Sequence, residues 1–409
     1  MSKLEVQIDP ASLGFDEVRL ERIKTHFNKY VTDQRLSGWL ATVSRGGELV
    51  WTGSGGHRNR EEGLEVTDDT IWRIYSMTKA VTTVAVMMLH EEGLFDLNDP
   101  AGKWIDSLKE SRVLIGGTAQ DPKTEPAKSQ VTIQHLLTHT SGLSYDFQAD
   151  AVAEIYKLNG SGGTGYRKDA SLAELVDDWC NAPLLFHPGE KWNYSFATDV
   201  LGRLVEIWSG MSLREFFMER IFTPLGMNDS DFYCPEEKLD RLAMLYVPGR
   251  DGAVPYVDLA VKAEKLPSGF SGGGGLLSTA YDYNRLTAML LNGGELDGVR
   301  LLSSRTVSLM AQNHLPNNTD LATLAIDSWA ETAFDGIGFG LGFAVLIDRA
   351  KNKNLGSEGL YNWGGAASTA FWIDPEEDIT VSFFTQLMPS STYPIRRELQ
   401  TLVYQALTD

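Results

Sequence analysis

Residues 80–89 read Ala-Val-Thr-Thr-Val-Ala-Val-Met-Met-Leu, apolar around nearly the whole circumference of a helix that runs out before Gly93. A helix without a polar face cannot lie on a surface, so the rest of the chain must enclose it. Its start is Ser76-Met77-Thr78-Lys79. Residues three apart share a helix face, which places the Lys79 amine over the Ser76 hydroxyl. A serine hydroxyl is a weak nucleophile until a neighbour takes its proton, and a lysine does so only if burial or another cation lowers its pKa. The apolar flanks of this helix supply the burial. The pair therefore points to covalent acyl chemistry rather than to a solvated helix face.

The composition suits a folded enzyme: 409 residues, 43% hydrophobic and 22% charged, enough for one large or two moderate domains. The net charge of −19 argues against nucleic acid or an anionic membrane as partner, since either needs a basic footprint. Cys180 and Cys234 are the only cysteines, too few for a disulfide framework and not spaced for a metal or redox site. They read as buried free thiols. No apolar signal core occupies the first ten residues, and no uninterrupted apolar stretch reaches the roughly 18 residues of a membrane span, so the expected location is cytoplasmic.

The helical period predicts an N-terminal helix over 16–34. Strands at 39–43 and 49–52 flank Arg45-Gly46-Gly47, a hairpin signal with glycine where positive φ is needed. Helices are predicted at 76–92, 131–137, 172–180, 199–208, 213–222, 280–291 and 395–407, and strands at 339–347, 369–373 and 379–385. An isolated hairpin cannot bury a core, so the two ends need each other. The expected fold is α/β (α+β): one antiparallel sheet built from residues 1–75 and 271–409 and flanked by helices. A mostly helical unit, 76–270, is inserted between them, with the active site at the interface.

Two further segments carry chemistry. Pro188-Gly189-Glu190-Lys191-Trp192-Asn193-Tyr194-Ser195-Phe196 precedes a helix and sets Tyr194 at an exposed turn, its hydroxyl free to point into a cleft. Tyr361-Asn362-Trp363-Gly364-Gly365-Ala366-Ala367 is glycine-rich and enters a strand, so its backbone N–H groups can approach a ligand. With Ser-x-x-Lys, these features resemble the serine β-lactamase and penicillin-binding-protein superfamily. More closely, the chain is similar to the family VIII carboxylesterases, which share the class C β-lactamase fold. Leu136-Leu137-Thr138-His139-Thr140-Ser141-Gly142-Leu143, Pro224-Leu225-Gly226-Met227 and the glycine run before Leu276-Leu277-Ser278-Thr279 extend the resemblance over nearly the whole chain.

The resemblance implies a nucleophile at Ser76, with Lys79 and Tyr194 sharing the proton transfers, and an oxyanion hole made by the backbone N–H groups of Ser76 and Ala366. It places Trp363, Gly364, Gly365, Phe196 and Tyr145 at the substrate, and it implies no cofactor and no metal. Two departures bear on the substrate. Phe196 stands where lactamases carry the asparagine of Tyr-x-Asn, and Trp363-Gly364-Gly365 stands where they carry Lys-Thr-Gly. Both favour a small uncharged ester over a β-lactam, and Trp363 is expected as an apolar wall. Acyl transfer to an alcohol or amine, β-lactamase or D-alanyl peptidase activity, and an acylatable sensor are the alternatives.

Several patterns compete with this reading. Gly269-Phe270-Ser271-Gly272-Gly273 matches Gly-x-Ser-x-Gly, but four successive glycines oppose the helix that such an elbow needs. His135 and His139 have zinc-helix spacing without the glutamate between them. Ser230-Asp231-Phe232 reads as a surface turn, and residues 159–165 as a flexible glycine loop rather than a phosphate cradle. Segments 145–170 and 315–337 are expected to shape the pocket.

Overall fold

The computed structural model describes residues 4–6, 8–162, 169–326 and 334–408. Parts of the 159–165 loop and of the 145–170 and 315–337 segments lie outside them. An eight-stranded antiparallel sheet forms the frame. Its strands are β1 (Gly38–Arg45), β2 (Glu48–Asn59), β3 (Leu64–Glu65), β4 (Ile337–Phe339), β5 (Ala344–Leu346), β6 (Tyr361–Gly364), β7 (Ala370–Asp374) and β8 (Ile379–Phe384), in the order β4-β5-β6-β7-β8-β1-β2-β3. The two ends of the chain meet at the β8–β1 pair, where Leu40 lies opposite Phe384 and Arg45 opposite Ile379. Arg45 also pairs with Glu48, leaving Gly46 and Gly47 as a two-residue turn with φ of +62° and +80°.

Both central strands are buried along almost their whole length, so both faces of the sheet are covered. Successive strand residues point to opposite faces, and Phe383 and Phe384 identify the covers. Phe383 packs on Phe27 of helix Glu17–Thr32, whereas Phe384 packs on Tyr283 of helix Ala280–Leu291. The C-terminal helix Ile395–Tyr404 lies against Glu17–Thr32.

The apolar helix is Thr78–Glu91, and Thr78 through Leu89 are all buried. It packs on helix Ala197–Ser209. A 3-10 turn, Tyr75–Met77, precedes it and carries Ser76. Other expectations shift. Residues 339–347 are not one strand: β4 and β5 form a hairpin, because Gly340 and Gly342 reverse the chain, with Gly342 at φ +86°. Hairpins Arg112–Gly117/Pro122–Pro126 and Tyr246–Gly249/Gly252–Pro255 interrupt the stretch expected to be helical. Ser230 is not at the surface; its buried hydroxyl contacts Ser278 and Asp282. Both cysteines are buried free thiols. Among the described residues no helix is long and apolar enough to cross a membrane.

Candidate active site

Ser76 is presented by a strained backbone. Tyr75, immediately before it, has φ +42°, a left-handed conformation that a bulky side chain adopts at a cost of about 1–3 kcal/mol. The following helix turn brings Lys79 Nζ to 3.2 Å from Ser76 Oγ. Lys79 is only 1% exposed, as its helix requires, but its amine is not in an apolar surround. Nζ also donates to the Tyr145 hydroxyl at 2.9 Å and to the Gly273 carbonyl at 2.7 Å. These two acceptors come from distant loops, which spacing along the helix does not reveal.

Tyr194 reaches the same oxygen from the other side, its hydroxyl donating to Ser76 Oγ at 2.7 Å. It is 3% exposed rather than at an open turn. The segment is held from beneath: Asn193 Nδ2 donates to the Leu143 carbonyl at 3.1 Å, and the Phe196 N–H donates to the Ser144 carbonyl at 3.2 Å. The His139 ring meets Tyr194 edge-on, with centroids 5.0 Å apart, and its Nδ1 lies 3.2 Å from Ser195 Oγ. Lys79 Nζ stands 4.6 Å from the centroid of the Tyr194 ring.

Strand β6 supplies the third wall. Trp363 is more than the apolar surface expected of it, because its indole N–H donates to the Tyr194 hydroxyl at 3.2 Å. Gly364 ends the strand, and Gly365 lies so close to the turn carrying Ser76 that a Cβ would collide with the Ile74 carbonyl and Thr369 Oγ1. Ala366, half-buried, lies in the turn that follows β6.

Tyr145 is buried and serves Lys79, while Phe196 is buried behind it. The Phe196 ring stacks on Trp179 at 3.9 Å and meets Tyr145 at 4.5 Å, so it supports Tyr145 instead of facing an open cleft. Phe147, stacked on Tyr145 at 4.7 Å and 57% exposed, reaches solvent.

The competing motifs resolve differently. Ser271 has no strand before it, and its hydroxyl donates to the buried carboxylate of Asp199 at 2.6 Å. His135 Nδ1 accepts the Thr132 N–H in a helix cap, while His139 turns toward Ser195, so the two rings do not converge. Burial holds the His139 imidazole well below its ordinary pKa, and Lys79 adds to the effect. Burial raises the Asp199 carboxyl, while Lys79 and the donors Ser271 and Gly273 pull it back.

Asp199 was not singled out from the sequence. A carboxylate in the first turn of a helix looks like an ordinary partner of the helix dipole. The available signal was the unexplained glycine run, which needs a reason for its close backbone approach.

A hydroxyl contacted by both an amine and a phenol is equipped to give up its proton and attack a carbonyl. The chain is 32% identical to Esterase EstB of Burkholderia gladioli, covering 92% of this chain and 93% of that one. The solved structure of EstCE1, a hydrolase with promiscuous acyltransferase activity, superposes with a TM-score of 0.80 at 25% identity, covering 97% and 99% of the two chains. Unliganded simvastatin synthase LovD of Aspergillus terreus superposes with a TM-score of 0.77 at 25% identity, covering 96% and 98%. Residues 23–405 match the family described as Beta-lactamase, and the chain belongs to the Beta-lactamase family.

Proposed function

We propose that this protein is a serine esterase that cleaves small, uncharged carboxylic esters through an acyl-enzyme on Ser76. The observation that carries the proposal is the convergence of Tyr194 Oη and Lys79 Nζ on Ser76 Oγ, at 2.7 and 3.2 Å. Ser76 Oγ attacks the ester carbonyl, and its proton passes to the coupled Lys79–Tyr194 pair. The backbone N–H groups of Ser76 and Ala366 hold the oxyanion, each such donor typically contributing about 3 kcal/mol. The C–O bond then breaks, and the pair returns the proton to the departing alcohol. Water repeats the sequence on the acyl-enzyme, releasing the acid and restoring Ser76. No cofactor enters these steps. The esterase relative and the hydrolase neighbour support this reaction class.

A second reading follows from the neighbour's acyltransferase activity: the same acyl-enzyme would pass its acyl group to an alcohol or amine instead of water. A panel of p-nitrophenyl esters of increasing acyl length, run with and without competing alcohols and beside a chromogenic cephalosporin, tests both. Short esters are expected to turn over fastest, with the cephalosporin slow. Ser76→Ala is expected to abolish ester turnover and acyl-enzyme mass. Unchanged turnover in that variant removes the assignment, and products bearing the added alcohol favour the transferase.

A further inference from the structure

Ser271 and the glycine run that follows it have no part in the reaction above, yet they are built into its surroundings. Both converge on Asp199, in the first turn of helix Ala197–Ser209 and 2% exposed. Asp199 Oδ1 accepts the Ser271 hydroxyl at 2.6 Å and the Gly273 N–H at 3.0 Å. The same Gly273 turns its carbonyl to Lys79 Nζ at 2.7 Å. Thr82, three residues beyond Lys79, donates its hydroxyl to the Gly272 carbonyl at 2.7 Å. The loop is thus tied to both helices at once. A Cβ on Gly273 would collide with Asp199 Oδ2 and stand 3.1 Å from the Tyr145 hydroxyl, so only glycine lets the backbone lie between carboxylate and amine.

We infer that Asp199 is the positioning residue of the Lys79–Ser76 pair: through Gly273 it fixes the direction of Lys79 Nζ, and its charge balances the ammonium that Lys79 becomes when the pair takes the Ser76 proton. The inference rests on the serine esterase proposal and places Asp199 in contact with neither Ser76 nor substrate. A carbonyl can only accept, so one N–H of Lys79 must face Gly273, which turns the rest of the amine toward Tyr145 and Ser76. Ser76 Oγ, Tyr145 Oη and the Gly273 carbonyl stand around the nitrogen, so the ammonium formed as the proton arrives finds acceptors in place, and a buried ammonium needs a counter-charge. The titratable groups that face Lys79 include Tyr145, Tyr194, His139 and, through the glycine loop, Asp199. Burial keeps His139 neutral, and Asp199 supplies the anion. Its carboxyl lies above the ordinary range, so its charge is present at higher pH and is lost as pH falls through the raised value. The acid limb of activity should carry that loss.

Asp199→Asn keeps the shape and an acceptor oxygen for Ser271 and Gly273 but removes the charge. The expected result is a fall in kcat of about 10- to 100-fold, the scale found when a hydrogen-bonded partner behind a functional ligand is removed, with KM unchanged and the acid limb displaced. Wild-type kcat and pH profile in a folded Asp199→Asn protein would overturn the inference, as would a loss confined to KM with an unmoved limb. Should that variant not fold, Ser271→Ala removes one donor that favours the ionised carboxylate. Its acid limb should move to higher pH, and an unmoved limb overturns the inference equally. Labelling by a fluorophosphonate separates this failure from failure of the esterase proposal. If wild-type Ser76 is not labelled, the esterase proposal falls and takes the inference with it. If it is labelled and Asp199→Asn matches its rate and pH profile, only the inference falls.

Discussion

Tyr194 is approached by two donors of different kinds, the Trp363 indole N–H at 3.2 Å from its oxygen and the Lys79 amine at 4.6 Å from its ring centroid. Both favour negative charge on the phenol as a proton moves through it. Trp363→Phe keeps the wall and deletes one hydrogen bond, a net contribution of about 0.5–1.5 kcal/mol. The expected outcome is a kcat lower by about 2- to 13-fold with little change in KM, read from steady-state kinetics on a p-nitrophenyl ester. An unaltered kcat would show that Trp363 acts only as a surface. The Ser76–Lys79 contact is legible in the sequence because helix geometry fixes it locally. Trp363 and Tyr194 stand 169 positions apart, so no local pattern reports that the indole would be a donor to the phenol.

Elements reach the site by close backbone approach, and glycine marks where. Gly365→Ala should force the end of β6 away from Ile74, lowering kcat and destabilising the fold by about 1–3 kcal/mol. Gly47→Ala is the control: φ is +80°, with nothing within 4 Å of the new Cβ. It should cost about 1–2 kcal/mol for the left-handed backbone and leave kcat untouched. Thermal unfolding paired with kcat separates the two, and equal effects on kcat would remove the special role of Gly365. The β1–β2 hairpin was readable from two glycines between apolar runs. The β4–β5 hairpin was not, because Phe339, Leu341 and Phe343 continue the look of a single buried strand. Only their pairing shows the reversal.

The whole molecule carries a pH dependence outside the site. Asp282, in helix Ala280–Leu291, accepts the Asp229 N–H at 2.7 Å and the Ser230 hydroxyl at 2.9 Å, and burial pushes its carboxyl up to about 6. A carboxyl raised in the folded state binds its proton more tightly there, so its contribution is greatest at low pH. That contribution declines as pH rises from about 4 to about 6 and is flat above. The full span is at most roughly 3 kcal/mol. Asp282→Asn mimics the protonated form and keeps an acceptor oxygen. Its melting temperature should exceed that of the wild type at pH 7, with the gap closing toward pH 4. A gap independent of pH would remove this account.

At the same scale lies the division between chain and fold. The sequence by itself determined a buried helix that carries Lys79 one turn beyond Ser76 and a sheet drawing strands from both ends, since these follow from periodicity and spacing within a few residues. Tertiary structure decided that Tyr194 is buried, that Trp363 donates to it, that Phe196 stands behind Tyr145 and that Asp199 reaches Lys79 through Gly273. Hydrogen bonds between loops far apart in the chain leave no period to read. Only folding brings their donors and acceptors within reach.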